Sequence, residues 1–294
     1  MYETLFHLSQ KNPITQSQFL LTGVTSDPVI VANNFNDFFS SIADKVRSEK
    51  PDTNYHFSNF LKSRNRNLIF LSPTNPEEVL RVVDSFSETK SAGPHSIPVR
   101  ILKLLKLGIA SPISTLISRS FEMGIFPTLL KTSKVIPIFK NKGSPMNVSN
   151  YRCISLLSNI EKINEKVMYS CLIASLDSHN LIYARQFGFR KGHSTVHTLI
   201  DITERIRKCL DKGEFVGGVF VHLQKAFCVD HRILLSKLDH YGIQGCCNDC
   251  FRSYLLERDS KMSPLTTLIL TLGVLGIASP GFCVGSSVIL DLCQ

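Results

Sequence analysis

Apolar residues recur at helical spacing in several stretches of the chain, and each stretch predicts a helix with one buried face. The first stretch follows Asp27-Pro28, which is typical of an N-cap followed by the first residue of a helix. Its apolar stripe comprises Val31, Phe35, Phe38, Phe39, Ile42 and Val46. A polar stretch at 48–67 predicts a linker, and Asn75 then caps a second helix, with Glu78 three residues on. The predicted buried face of this second helix comprises Val79, Val82, Val83 and Phe86.

Further helices and two strands are predicted after the loop at 90–94. Pro98–Leu107 and Pro112–Phe121 are interpreted as two helices, the second of which is stopped by Gly124 and Pro127. Later helices are predicted within 160–172, 196–210, 232–240 and 248–256. The strands are Lys134–Phe139, where Pro137 favours an edge position, and Phe215–Leu223, the best candidate for a buried strand. Scattered strands among helix pairs indicate an α+β fold rather than a regular parallel α/β fold.

Length, charge and cysteine content narrow the class of protein. The chain has 294 residues, of which 43% are hydrophobic, so it is long enough to bury a sizeable core. It carries 33 Lys and Arg against 24 Asp and Glu, a net charge of +9, which suits a phosphate-rich partner or simply a modestly basic surface. The nine cysteines lack paired spacing, and residues 1–10 lack the apolar run of a secretory signal. We therefore expect a non-secreted protein of the cytoplasm or nucleus with reduced thiols.

Four blocks of sequence together resemble the reverse transcriptases of LINE-type, or non-LTR, retrotransposons. They are Lys90–Pro98 (KSAGPHSIP), Lys134–Leu157 (KVIPIFK with NYRCISLL), Gln186–Thr195 (QFGFRKGHST) and Phe220–His231 (FVHLQKAFCVDH). Each block alone is weak evidence for this family, but the four occur in the family's order and at plausible spacing.

The resemblance implies a partial right-hand polymerase, with fingers and an incomplete palm at 71–260. A helical pre-polymerase linker region at 1–70 precedes it, and an aberrant apolar tail follows at 261–294. The family copies RNA into DNA with two Mg²⁺ ions, so the implied partner is RNA or an RNA–DNA hybrid held by a basic surface. No small-molecule substrate is implied, and no oligomeric state is indicated.

The residues that hold the metal in this family are replaced here. His222 and Cys228 occupy the positions of its two Asp residues, and neutral imidazole suits Zn²⁺ or Cu²⁺ far better than Mg²⁺. Asp230 matches a later, non-catalytic Asp of the motif, and the family's Y-x-D-D motif does not occur before residue 294. We therefore expect no intact catalytic residue, no metal site, no Mg²⁺ cofactor and no polymerase activity.

The last residues suggest a frameshift in the gene. Met262–Leu290 contains no charged residue, and Ser279–Gln294 matches nothing in the family. Codons can be chosen for which a frame displaced by one nucleotide encodes the family's next motif, so we expect a frameshift between 260 and 279. The same apolar run is long enough for a membrane anchor, although Pro280, Gly281 and Gly285 argue against one.

Four residues are candidates for nucleotide binding. By resemblance, Arg152, Lys134 and Lys140 contact the triphosphate of the incoming nucleotide, and Phe227 is the bulky gate against a ribose 2′-hydroxyl. A solvated basic face and simple core packing remain the alternatives. His240, Cys246, Cys247 and Cys250 form a weak zinc candidate that lacks a second proper pair.

Three functions remain open at this point. The first is an inactive remnant of an RNA-directed DNA polymerase. The second is a non-enzymatic RNA-binding protein that uses the basic fingers surface, and the third is a tail-anchored membrane protein.

Overall fold

The computed structural model describes residues 28–48, 57–61, 64–88, 93, 97–144, 146–221 and 229–256. Its elements in chain order are α1 (Pro28–Ser48), α2 (Pro76–Asp84), α3 (Val99–Met123), β1 (Lys134–Phe139), β2 (Tyr151–Leu156), α4 (Asn159–Ser178), α5 (Thr195–Asp211), α6 (His231–His240) and α7 (Cys246–Leu255). Short 3₁₀ turns lie at Phe57–Phe60, Thr128–Leu130 and Val148–Asn150. Helices and one small sheet are thus both present, while the right-hand polymerase fold stays a prediction.

The main core lies between α2, α3, α4, α6 and α7. Asn75 caps α2 as predicted, since its Oδ1 accepts a hydrogen bond from the Glu78 N–H at 2.9 Å. Val79, Val83 and Phe86 are buried against α3 and α4, and Val82 packs at the margin of the core. One parallel bridge, Ile69 to Ile243, ties the strand-like segment before α2 to the loop between α6 and α7.

A second, smaller core joins α1 to the hairpin of β1 and β2. Val31, Ala32, Phe35 and Phe39 are buried there against Val135, Tyr151 and Cys153. Phe38 and Ile42 pack at its edge, whereas the side chain of Val46 lies outside the described residues. The amphipathic stripe predicted after Pro28 is confirmed over these positions, and it covers the hairpin.

The prediction of two helices over 98–121 is wrong, because α3 is one continuous helix of 25 residues with Pro112 inside it. Pro112 has no N–H to donate to the carbonyl of residue 108, which costs one helical hydrogen bond. Ala110, Ile113, Ile117 and Phe121 are buried on both sides of the proline, and this burial outweighs the local loss. The helix ends as predicted at Gly124, whose φ of 66° is the left-handed conformation that glycine adopts without strain.

The prediction of a buried strand at Phe215–Leu223 is wrong over 215–221. These residues form no strand, and Val219 and Phe220 are each 90% exposed. A strand needs a neighbour to complete its hydrogen bonds, and none of the described residues pairs with this segment. Residues 222 and 223 lie outside the described residues.

The remaining helix predictions are confirmed as α4, α5, α6 and α7. Their ends are shifted by at most two residues, except that α4 extends six residues beyond 172, to Ser178. The apolar stripe predicted on α5 is present but is not buried by any described residue: Val196, Leu199, Ile200, Ile206 and Leu210 are exposed.

Candidate functional site: a basic hairpin face

The hairpin of β1 and β2 is antiparallel, with Lys134 opposite Leu156 and Phe139 opposite Tyr151. The Lys140 N–H extends the ladder by donating to the Asn150 carbonyl at 2.8 Å. Within the connecting loop, the Asn147 side chain accepts from the Ser149 N–H at 2.9 Å. The loop is therefore braced by its own polar groups.

Pro137 fits this ladder because of its register. Hydrogen-bonded and non-hydrogen-bonded pairs alternate in an antiparallel ladder. Lys140 and Asn150 form a hydrogen-bonded pair, so Pro137 and Cys153, three pairs away, form a non-bonded pair. The missing N–H of Pro137 therefore removes no bond to β2, and among the described residues β1 has a neighbour on that side only. The predicted edge position is confirmed.

The register also separates the side chains into two faces. One face contains Val135, Pro137 and Cys153 and is covered by α1. Burial on this face raises the pKa of the Tyr151 hydroxyl. The opposite face, called here the basic hairpin face, consists of Lys134, Ile136, Ile138, Lys140, Arg152, Ile154 and Leu156.

All three predicted triphosphate ligands that the structure describes lie on the basic hairpin face. Arg152 is opposite Ile138, so Lys140 is its diagonal neighbour about 7 Å along the strand, and Lys134 is about 14 Å away on the other side. Arg152 is exposed and has no ion-pair partner among the described residues. Lys140 donates from Nζ to the Ser149 carbonyl at 2.6 Å. The structure thus brings Arg152 and Lys140 together and leaves Lys134 at a distance.

The charged side chains of this region are all basic. Residues 123–160 include Lys131, Lys134, Lys140, Lys142 and Arg152 but no Asp or Glu. An arginine without a carboxylate partner keeps its five N–H donors available for a bidentate phosphate contact. The face can therefore bind phosphate groups, and the aliphatic side chains between the cations offer a flat apolar surface beside them.

Two of the sequence blocks meet at the end of this hairpin. Gly93, with a φ of 68°, lies so close to the carbonyl of Leu157 that a Cβ there would overlap it. Four residues further on, the Ile97 carbonyl accepts a hydrogen bond from the Asn159 side chain at 2.7 Å. Gly93 and Ile97 therefore contact the residues that follow β2. Only glycine fits at that position.

The chain is similar to several known proteins. The chain is 28% identical over 195 residues to a probable RNA-directed DNA polymerase from transposon BS of Drosophila melanogaster. The aligned region covers 64% of the chain and 21% of the relative. It is also 28% identical to the RNA-directed DNA polymerase of the mobile element jockey of Drosophila funebris, over 53% of the chain and 17% of the relative. The third is the probable RNA-directed DNA polymerase from the X-element transposon of Drosophila melanogaster, again 28% identical, over 59% of the chain and 18% of the relative.

The homologues of this chain are RNA-directed DNA polymerases of non-LTR transposons. The chain spans about a fifth of the length of these relatives. No family model matches it. The resemblance drawn from the four blocks is confirmed at this level.

Other candidate residues fall in different places. His222, Cys228 and Phe227 lie outside the described residues. Asp230 caps α6, where its Oδ1 accepts from the Arg232 N–H at 2.9 Å. That contact gives Asp230 a structural role at the start of the helix.

The zinc candidate is not supported by the arrangement of its residues. Burial raises the pKa of the Cys250 thiol to about 11, and burial, reinforced by neighbouring cysteines, raises that of Cys247 to about 12. Within the described ranges, no group of three or more His, Cys, Asp or Glu could hold a metal ion.

One described helix, α3, is long and apolar enough to cross a membrane by length and composition alone. Its buried face, however, forms part of the main core against α2, α4 and α7. The apolar tail at 261–294 lies outside the described residues.

Sequence reasoning missed one feature of the site and one of the main core. The first is β2 itself, which carries Arg152. The second is the buried Glu165 carboxylate on α4, which accepts a hydrogen bond from the Tyr254 hydroxyl of α7 at 2.5 Å. A charged residue in a helix interior gives no sequence signal that distinguishes it from a surface residue, so neither its burial nor its partner could be found beforehand.

Proposed function

We propose that this chain is a degenerate relative of the transposon RNA-directed DNA polymerases that does not polymerise and retains a phosphate-binding fingers hairpin. The observation that supports it is the basic hairpin face, on which Arg152 and Lys140 are diagonal neighbours with no carboxylate between residues 123 and 160. RNA is the ligand implied by the relatives.

The loss of catalysis is argued from the chemistry of the side chains at the metal positions. Mg²⁺ is a small, hard cation that requires oxygen ligands in near-octahedral geometry. His222 and Cys228 supply nitrogen and sulfur instead, so they do not fit the metal. Asp230 is engaged at the start of α6 and is no substitute. Without the metal ion, neither the attacking hydroxyl nor the developing charge on the phosphates is stabilised.

Primer extension tests the catalytic half of the proposal. The full chain and the variant His222→Asp are incubated with a primed RNA template, deoxynucleotides and either Mg²⁺ or Mn²⁺. We expect no extension by the unaltered chain. Extension by the unaltered chain would overturn the proposal and would mean that other carboxylates hold the metal. Extension by His222→Asp alone would support the assignment of that position.

A non-enzymatic RNA-binding protein is the second candidate. Arg152 favours it, because this residue is exposed and has no carboxylate partner among the described residues. Here Arg152→Gln is compared with Arg119→Gln, a matched change on α3 where the arginine is already paired with Glu122 at 3.1 Å. Affinities for a labelled RNA and for a fluorescent deoxynucleoside triphosphate are each measured at low and high salt. We expect Arg152→Gln to weaken binding by about tenfold and Arg119→Gln to leave it unchanged. Equal effects of the two changes would remove the hairpin from the proposal.

A further inference from the structure

The segment at 215–221 presents an apolar surface that no described residue covers. Its sequence is FVGGVFV, which contains no charged residue, and its Phe and Val residues favour strands. Phe215 is fully exposed, and Val219 and Phe220 are each 90% exposed. A run of exposed apolar, strand-favouring residues is typical of a site of association with another surface.

The backbone of this segment is also available for pairing. No backbone hydrogen bond joins 215–221 to any other residue that the structure describes. The last such bond before the segment is made by the Glu214 N–H, which donates to the Cys209 carbonyl at 2.9 Å. A row of N–H and C=O groups of this kind is a template on which a further strand can add.

The charge pattern around the segment favours pairing with a second copy of itself. Two identical antiparallel strands are related by a two-fold axis perpendicular to their ribbon, so that one residue of each copy lies at the axis. The uncharged run has its midpoint at Gly218, and an axis there gives each of its seven residues an uncharged partner. An axis at Gly217 would instead place Glu214 opposite Phe220 of the second copy.

The side chains that meet around Gly218 suit each other. Val216 faces Phe220 of the second copy on one face of the ribbon, and Phe215 faces Val221 on the other. Aromatic and β-branched residues in such cross-strand pairs stabilise antiparallel strands. Glycine within a strand often marks the close approach of another backbone. A Cβ added at Gly218 would meet only the Phe220 ring, at 3.7 Å, so the packing of its own chain does not require a glycine there.

The neighbouring helix α5 supplies an apolar surface for one face of the ribbon. A two-stranded ribbon is marginally stable by itself and needs packing against a further element. α5 ends at Asp211, four residues before the segment, and its apolar stripe is exposed. Because a perpendicular two-fold axis keeps each face of the ribbon on the same side, the α5 helices of both copies can cover the same face.

The charges of α5 do not oppose this association, because they are paired within the helix. The three ion pairs are Arg205–Asp201 at 2.9 Å, Lys208–Glu204 at 3.8 Å and Arg207–Asp211 at 3.9 Å.

The apolar area is of the size that a dimer needs. A phenylalanine side chain buries about 150–250 Å², so the four rings of two segments offer about 600–1,000 Å². A stable, specific interface buries about 1,200–2,000 Å² in total. The valines of the two segments and the two α5 stripes supply the remainder.

We propose that this protein forms a two-fold dimer in which the 215–221 segments pair as antiparallel strands around Gly218 and the α5 stripes cover one face of the ribbon. The partner of this surface is thus a second copy of the chain. The dimer does not depend on phosphate binding, because none of its residues belongs to the basic hairpin face.

Sedimentation velocity of the full chain tests the dimer. Between about 1 and 100 µM, a species of twice the mass of one chain should increase with concentration. Phe220→Lys should raise the dissociation constant at least about tenfold, because a two-fold interface contains the new charge twice. Ile206→Glu on the α5 stripe should act in the same direction. Phe70→Lys, at a phenylalanine that is 65% exposed elsewhere, should leave the dissociation constant unchanged.

Disulfide trapping with diamide tests the register. In Gly218→Cys, the new thiols of the two copies face each other with Cβ atoms about 4.5–5.5 Å apart, so they should become joined. In the control Val216→Cys, the two thiols lie four residues apart along the strands, or about 13 Å, which is beyond the reach of a disulfide. Peptide mass spectrometry distinguishes the crosslink between the two copies of position 218 from bonds of the native cysteines.

Four results would overturn the proposal or a named part of it. A chain that stays monomeric over this range, or that grows into species larger than a dimer, overturns the dimer. Equal crosslinking of Gly218→Cys and Val216→Cys, or none in Gly218→Cys, overturns the register. Unchanged association of Ile206→Glu removes α5 from the interface. Slow hydrogen exchange of the 215–221 amides in a monomer would mean that another segment of the same chain covers them, which overturns the second copy as the partner.

Discussion

Phe35 on α1 is the side chain whose removal should most directly loosen the basic hairpin face. It is 2% exposed and lies edge-on to the Tyr151 ring at a centroid distance of 5.0 Å, with Phe39 stacked at 6.0 Å on the other side. The change Phe35→Ala removes these contacts and leaves a cavity between α1 and the sheet. Buried Phe→Ala changes cost about 3–5 kcal/mol, which includes the lost transfer energy and the cavity.

The loss should be local, because Phe35 belongs to the small core of α1 and the hairpin and not to the main core. We therefore expect the hairpin to open more often while the main core stays folded. The free-energy change corresponds to an increase of about 10²- to 10⁴-fold in the opening equilibrium of the hairpin.

Amide hydrogen exchange measures this opening directly. The Lys140 N–H, which donates to the Asn150 carbonyl at 2.8 Å, reports on the end of the ladder next to Arg152. Its exchange should accelerate in Phe35→Ala, and triphosphate affinity should fall with it. The matched control is Phe70→Ala, which removes a side chain that is 65% exposed. If the Lys140 amide exchanges equally in Phe35→Ala and Phe70→Ala, then α1 does not support the hairpin and the reasoning fails.

Three further predictions concern stability. Pro112→Ala should restore a helical hydrogen bond in α3 and raise the melting temperature, by a gain of up to about 3 kcal/mol, as differential scanning calorimetry would detect; an unchanged or lower value contradicts it. Gly93→Ala should destabilise the chain by at least about 1 kcal/mol in urea titration, because its Cβ overlaps the Leu157 carbonyl and its φ is positive; neutrality contradicts the close packing of the two blocks. The pKa values of Cys247 and Cys250 are raised above 9 in the folded state, which therefore binds these two protons more tightly than the unfolded state does. The protonated thiols thus contribute to the free energy of unfolding in full below pH 9, and this contribution is lost as the pH rises through about 11 to 12. Urea titrations at pH 8 and pH 10.5 should show this fall, and Cys250→Ala should reduce it; a pH-independent midpoint would refute it.

The helices could be predicted from the sequence because their signals are local. The cap at Asn75, the stop at Gly124 and the stripe that includes Phe35 each act within a few residues. The prediction of a break near Pro112 was wrong for the same reason. A local rule for proline does not include the tertiary burial that holds both halves of α3 in line.

The sheet and the site depended on non-local information. Tyr151–Leu156 gave no strand prediction, although it pairs fully with β1, whereas Phe215–Leu223 was predicted as a strand and is exposed and irregular over 215–221. Strand formation depends on a partner whose position in the chain no local pattern specifies. The three basic residues were chosen by resemblance, and only the register of the hairpin shows that they share a face.

Under the proposed function, the separation of the two cores gives a physical reason for phosphate binding to outlast catalysis. Arg152 and Lys140 are held by a hairpin whose buried side packs on α1, and α1 lies more than a hundred residues before the segment where the metal ligands are replaced. Among the described residues, the apolar members of this small core all lie at or before Cys153. The replaced positions 222 and 228 are therefore not members of this small core. It follows that His222→Asp should leave the triphosphate affinity of the hairpin unchanged in the absence of metal, and a large change in that affinity would show that the two regions are coupled.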